Sequence, residues 1–367
     1  MRLLLWIPRA PHLKILGSVA AEATRRGHDV LAVAPAGDVK GGDALIHARG
    51  ELGSMVPVTD RWRLTDFRPH WALAVGLRTA PTLRRLTRRR GVRWCALDHC
   101  GDNLSFLLEG ESTNGWDAVS LLSVEGARLA GSMTEGVACQ GYPELDQLTT
   151  VVGDRAACRA KWNLPQDQHV LFFGTAACPI RLGRVRRWWF EQMRYWRIVR
   201  ILRQWADEHG AFIVAKTRAK HRDPAWLLRY ADKVVGDVSF YPFTTLELLR
   251  AADLYVGFAS AMAIEACAVG IPQVHLYGWP PEWAEWPSGW PFKREFFLKA
   301  GGLWNCPGSV AVACWGDRWW QTVGAHLDAV PLALMRNGTE FMQAACERWA
   351  GPLDGQASSR VLDLLEA

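Results

Sequence analysis

Ala251-Ala252-Asp253-Leu254-Tyr255-Val256-Gly257-Phe258-Ala259-Ser260 runs on through Glu265 to Gly270-Ile271-Pro272. Leu254 to Gly257 is an apolar run of strand length, and Met262 to Val269 is a helical segment stopped by Gly270. Between them lies a loop of small residues, so the chain leaves a buried strand and turns at once into a helix. A helix start so placed offers unpaired backbone N–H groups and a positive dipole end, which suit a phosphate. Ser260 can cap this helix and also donate its hydroxyl to a phosphate. Glu265, about one and a half turns in, can accept hydrogen bonds from ribose hydroxyls. Taken alone, the stretch reads equally well as a capping serine followed by a solvated acid.

Outward from this point the same logic repeats. Val170 to Phe173 is a strand ending at Gly174-Thr175, Phe212 to Lys216 is another, and Pro272 to Leu276 a third. Leu246 to Ala251 is helical, and an Arg/Trp-rich helix spans about 185–209. In the first half, Leu3 to Ile7 is a buried-strand run, followed by a Pro8/Pro11 loop around Arg9 and His12 and a helix from Leu13 to Arg26. Val30 to Val33, Leu45-Ile46, Trp71 to Val75 and Val92 to Leu97 are further strand candidates, with a helix over Thr82 to Arg89. Short strands alternating with helices predict an α/β fold with parallel sheets buried on both faces. A polar stretch from Asp154 to Gln168 separates two such units. The expected organisation is a first domain over 1–150, a second over 151–345, and a helical segment over 346–367 that packs back onto the first.

A chain of 367 residues is long enough for two domains, and 49% hydrophobic with 22% charged residues is the balance of a folded protein. No apolar run is long enough for a signal peptide or a membrane span, which points to a cytoplasmic location, with a peripheral membrane association as its variant. Nine cysteines show no paired spacing; Cys95 and Cys100 flank Asp98 and His99 without a second ligand pair, so no metal site is expected. The net charge of +6 favours acidic partners without choosing among them.

The 251–272 stretch resembles the donor-site signature of glycosyltransferases of the GT-B fold, nearest the branch of CDP-glycerol glycerophosphotransferases and UDP-N-acetylglucosamine 2-epimerases. Gly141-Tyr142-Pro143-Glu144-Leu145-Asp146 is similar to the Gly-x-Pro-x-x-Asp that precedes the interdomain linker there, and Val170 to Thr175 to the first strand and loop of the donor domain. The resemblance implies two Rossmann-like domains facing across a cleft, with a nucleotide-sugar donor held by Gly174, Thr175, Lys216, Arg218, His221, Phe258, Ser260, Ala261 and Glu265. Lys216, Arg218 and His221 stand where the family has a Lys-x-His-Pro, here stretched, and their charge can neutralise a leaving diphosphate in place of a metal ion. Leu97-Asp98-His99-Cys100-Gly101 resembles the cleft-facing His-Gly loop of the glycerophosphotransferase branch, which makes His99 the expected base, Asp98 its neighbour and Gly101 part of the acceptor side. A histidine at a strand end is also a common capping or core residue. Arg9 belongs to the acceptor side as well, and His12 is the alternative base.

These readings converge on transfer of a sugar or glycerophosphate from a nucleotide-activated donor to an acceptor hydroxyl, with no cofactor. The acceptor is a glycan, a lipid-linked glycan or DNA. Three alternatives stand beside it: a phage-type enzyme glycosylating hydroxymethylated bases, a non-catalytic nucleic-acid or membrane-binding module, and a sugar-nucleotide epimerase. The Arg-rich segments 82–94 and 181–205, the latter interleaved with Trp188, Trp189, Trp196 and Trp205, suggest an anionic surface as a partner or a solvated basic face over a tryptophan core. The Trp- and Pro-rich stretch 279–320 matches neither family pattern nor regular helix.

Overall fold

The computed structural model describes residues 1–35, 44–60, 66–99, 101–108, 113–129, 137–175, 185–217, 229–236, 244–258, 260, 262–277, 301–314 and 319–367. Two parallel sheets carry the fold. The first comprises β1 (Arg2–Trp6), β2 (Asp29–Val33), β3 (Val58–Thr59), β4 (Trp71–Val75), β5 (Arg93–Leu97), β6 (Ala118–Leu121) and β7 (Val137–Cys139), in the order β3-β2-β1-β4-β5-β6-β7. The second comprises β8 (Val170–Gly174), β9 (Phe212–Lys216), β10 (Lys233–Val235), β11 (Leu254–Phe258), β12 (Gln273–Tyr277) and β13 (Ser309–Ala313), in the order β10-β9-β8-β11-β12-β13. Both orders reverse once, between β1 and β4 and between β8 and β11. In sheets of this kind ligands sit outside the carboxyl ends of the strands at that reversal.

The strands form where apolar residues run without interruption, as sheets covered on both faces require. Trp71–Val75 and Val170–Gly174 are buried throughout. Helices fill the connections: α1 (Leu13–Arg25), α2 (Ala44–Leu52), α3 (Pro81–Arg88), α4 (Asp102–Leu108), α5 (Val124–Leu129), α6 (Gln147–Thr150), α7 (Arg155–Lys161), α8 (Val185–Glu208), α9 (Thr244–Ala251) and α10 (Met262–Val269). Three more follow, over Trp319–Asn337, Glu340–Ala350 and Ala357–Glu366. The strand expected at Leu45-Ile46 is instead the start of α2, whose Leu45, Ala48 and Leu52 recur at helical spacing on one buried face. Two apolar neighbours are too short a run to separate strand from helix.

The two units are fastened to each other. Helix Ala357–Glu366 lies against α1 and the first sheet: Trp71 Nε1 donates to the Leu365 carbonyl at 2.9 Å, and Arg26 pairs with Asp363 at 2.7 Å. Asp146 accepts the Ala357 and Ser358 N–H groups at 2.9 and 2.7 Å, capping that helix from the connecting turn Pro143–Asp146. The apolar core of the first unit continues into the second through Ile264 and Cys267 of α10 and through Trp349. Within the second unit Asp253 ties the start of β8 to α7, accepting from Val170 N and from Arg159, each at 2.7 Å.

The seven described cysteines carry free thiols. Among the described residues no helix is long and apolar enough to cross a membrane. On α8, Tyr195, Ile198, Leu202 and Trp205 are buried while Arg197 and Arg200 are exposed, so the described part has an apolar face towards the core and a solvated basic one. Most of the stretch 279–320 lies outside the described residues, which resume over 301–314 and at Trp319.

Candidate active site

The switch point of the second sheet is made of backbone and small residues. Gly174 and Gly257 pair directly across β8 and β11. The Tyr255 ring lies over both: a Cβ on Gly257 would stand 2.0 Å from its Oη, and one on Gly174 would stand 3.2 Å from it and 2.8 Å from Met262 Cε. Glycine at these positions follows from that ring, which fills the space a side chain would take. Thr175 is buried, and its N–H donates to the Lys216 carbonyl at 3.2 Å, bringing the ends of β8 and β9 together. Phe258 ends β11, half exposed, edge-on to Tyr195 and Phe173 with centroids 5.5 and 6.1 Å away. Ser260 Oγ accepts from Met262 N at 3.4 Å, the expected capping contact at the start of α10.

Glu265 is buried, not the solvated acid that its sequence also allowed. Its Oε1 accepts from Lys14 Nζ at 2.7 Å, and the same ammonium donates to Glu144 Oε1 at 2.7 Å. Lys14 follows the first strand of the first sheet, Glu144 belongs to the turn between the units, and Glu265 lies in the first turn of α10. One cation therefore joins the switch points of both sheets. Burial, together with the charge of Glu265, pushes the Glu144 carboxyl well above the usual carboxylate range, so it keeps its proton. Burial acts the same way on Glu265, but the Lys14 ammonium and the Glu144 proton outweigh it and hold Glu265 ionised; the Lys216 charge adds to this. Burial would strip Lys14 of its proton, yet the two acids hold its pKa above the ordinary value. The triad is thus one ammonium, one carboxylate and one shared proton, neutral overall, which is how buried charges are tolerated.

On the first sheet, His99 follows β5 and is half-buried. Its Nδ1 lies 3.2 Å from the hydroxyl of Tyr142, a buried residue. Asp98 turns the other way, accepting the Asn103 N–H at 3.0 Å at the start of α4. Asn103 in turn holds Leu77 N and the carbonyls of Ala96 and Ser120, fixing the loop. Gly101 sits in this loop with φ +76°, in the left-handed region that favours glycine. Arg9 is exposed on extended backbone beside the β1 end, and His12 is buried at the close of the short turn Ala10–His12.

The structure therefore brings Gly174, Thr175, Lys216, Phe258, Ser260 and Glu265 to one sheet edge, and places His99, Asp98, Gly101, Arg9 and His12 on the edge of the other. Arg218, His221 and Ala261 lie outside the described residues. Sequence reasoning passed over Lys14, Tyr142 and Glu144. Lys14 was legible only as a helix residue, although a cation one turn after Arg9 at a β–α turn was a usable signal. Tyr142 and Glu144 stood inside the Gly-x-Pro-x-x-Asp motif with no role of their own.

No family model matches the sequence, and no curated protein does. Solved structures match the whole fold. A UDP-GlcNAc 2-epimerase from Neisseria meningitidis bound to UDP-GlcNAc aligns with a TM-score of 0.63 at 12% identity, over 100% of both chains. The wall teichoic acid polymerase TagF aligns at 0.62 and 14% identity, over 100% of this chain and 88% of the other. An S. aureus MnaA–UDP co-structure aligns at 0.58 and 12%, over 100% and 96%. The fold is GT-B. At these identities the likeness fixes the GT-B architecture, and the chemistry has to be argued from the residues of this chain.

Proposed function

We propose that this GT-B protein transfers a sugar or glycerophosphate from a nucleotide-activated donor to an acceptor hydroxyl without a metal ion. The observation that carries the reading is Lys14, whose ammonium reaches Glu265 at the donor-side switch point from the β–α turn of the opposite domain. The donor diphosphate lies at the start of α10, beyond the ends of β8 and β11, where the helix offers backbone N–H groups. Glu265 receives the ribose hydroxyls, and Lys216, with Arg218 and His221, takes up the charge of the leaving nucleotide. Across the cleft, His99 removes the acceptor proton as the new bond forms. A sugar is released from its bond to the nucleoside diphosphate, whereas a glycerophosphoryl group is released by cleavage of the P–O–P bond, leaving the nucleoside monophosphate. The acceptor is a glycan, a lipid-linked glycan or DNA, presented from the side of Arg9 and Gly101.

A second reading, sugar-nucleotide epimerisation, gains support from Glu144. Glu144 stands buried beside Lys14 and Glu265 and retains its proton. Epimerisation needs no acceptor, which separates the two readings by experiment.

Thermal unfolding in the presence of UDP, GDP, CDP, ADP and dTDP and their sugar or glycerol conjugates tests the donor site. One base family should stabilise the protein, by about 2.7 kcal/mol at a hundred times its Kd, and Glu265→Gln should weaken that response. A folded protein indifferent to every nucleotide would sink the donor assignment. Conversion of the selected donor without any acceptor would favour the epimerase; conversion only with an acceptor, lost in His99→Ala at unchanged donor affinity, would favour transfer.

A further inference from the structure

Tyr142 is held from both sides. Before it, Gly141 has φ +87°, and a Cβ there would stand 3.1 Å from Arg360 Nη2 and 3.2 Å from Ala357 Cβ; Arg360 also donates to the Gln140 carbonyl at 2.9 Å. After it, Glu144 is bound to Lys14, and Asp146 caps the last helix. The ring itself is 1% exposed, so the phenol cannot swing away. Its hydroxyl lies 3.2 Å from His99 Nδ1, and the two rings do not stack: their centroids are 6.5 Å apart and their planes tilted by 42°.

A neutral imidazole carries one N–H, and the two nitrogens cannot both be bases. In water a histidine side chain favours the Nε2–H form, in which the outer nitrogen is blocked. The form that can take a proton at Nε2 needs an acceptor at Nδ1, and a partner at one nitrogen sets the state of the other. Asp98, next in sequence, spends Oδ1 on the Asn103 N–H. We infer that Tyr142 is a positioning residue for His99: its Oη accepts the Nδ1 proton and so holds Nε2 in the unprotonated, proton-accepting form. This rests on the reading of His99 as the base. It gives the turn between the domains a double task, since Tyr142 sets the base while Glu144, two residues on, binds the cation that reaches the donor helix.

The test reads the tautomer directly. In full-length protein labelled with 15N-histidine, two-bond 1H–15N spectra should show His99 as Nδ1–H, its signals assigned by their absence in His99→Gln. Tyr142→Phe keeps the ring and removes the oxygen; His99 should then shift to Nε2–H, and kcat should fall about tenfold, the worth of one such hydrogen bond, with donor KM unchanged. A wild-type His99 found as Nε2–H overturns the proposal, whether or not the variant folds. So does an unaltered tautomer in Tyr142→Phe. Failure of the base reading shows separately, as full turnover in His99→Gln.

Discussion

The carboxyl edges of the two sheets share a strand order yet are furnished differently. The first presents ionisable side chains: Lys14 and His12 after β1, His99 after β5, and Glu144 and Tyr142 from the stretch that follows β7. The second is built of small residues, with Gly174 facing Gly257 under the Tyr255 ring, and ends in a helix start capped by Ser260. Such a helix start suits a fixed anion, which needs N–H groups. Proton traffic needs the other kind of edge, where burial and close partners set the protonation states. Duplicating one topology therefore does not duplicate chemistry; each edge is specialised by a handful of side chains. Even Glu265, the acid that α10 brings to the second edge, is paired with a cation from the first.

The sharpest way to break this comparison is to remove that cation. Lys14→Met leaves Glu265 and Glu144 buried without their ammonium, and loss of one member of a buried charge cluster costs about 3–5 kcal/mol. Urea unfolding should show that loss, and the double variant Lys14→Met/Glu265→Gln should recover part of it because the stranded charge is gone. A cost below about 1 kcal/mol, the range of solvated surface pairs, would mean that the triad opens to water and does not join the domains.

What was legible in the sequence follows from the same contrast. The edge of the second sheet is written locally: an apolar strand, small residues, a helix and Gly270 all lie within 251–272, so its strand and helix could be placed almost to the residue. The first edge is written across long separations. Lys14 meets Glu144 and Glu265, 130 and 251 residues away, and His99 meets Tyr142, 43 residues away. No periodicity encodes such meetings; they exist once two sheets and a turn are in place. Burial was the other hidden quantity. Glu265 could be read as solvated or ligand-binding because its helix is short and apolar nearly all round, and only the packing of α10 into the first core decides between the two.

A smaller effect sharpens the contrast from behind the second edge. His275 on β12 is fully buried, stacked on Trp304 at 5.2 Å, with Nε2 donating to Gln273 Oε1 at 2.6 Å. Burial lowers its pKa to about 3, against an unfolded value of about 6.5. Below pH 6.5 the unfolded chain therefore binds the extra proton, so this contribution to stability is whole above that pH and drains away as pH falls towards 3. The slope approaches about 1.4 kcal/mol per pH unit. Urea unfolding at several values between pH 7.5 and 4.5 should show the wild type losing stability faster than His275→Phe. Coincident slopes would place the imidazole in contact with water.

The smallest effect is expected at cations that touch neither edge. Helix α3 runs back from the end of β4 towards the start of β5, so its last turn lies at the amino ends of the strands, away from both switch points. There Arg88 pairs with Asp117 at 3.0 Å, and Arg84 lies 3.9 Å over the Trp116 ring, while exposed Arg85 and Arg89 have no carboxylate partner among the described residues. Exposed side chains of this kind change stability by less than about 0.5 kcal/mol when replaced. Arg85→Gln/Arg89→Gln should leave unfolding and the nucleotide response as they were, in contrast to Lys14→Met, although all three positions lose the same formal charge. Binding to anionic vesicles or DNA is then the quantity to follow: a salt-sensitive affinity that drops in the double variant would give this face a partner of its own. An affinity that does not change would leave it a solvated helix face. A nucleotide response that weakened with these arginines would mean that long-range charge, and not the close contacts at the two sheet edges, governs donor binding.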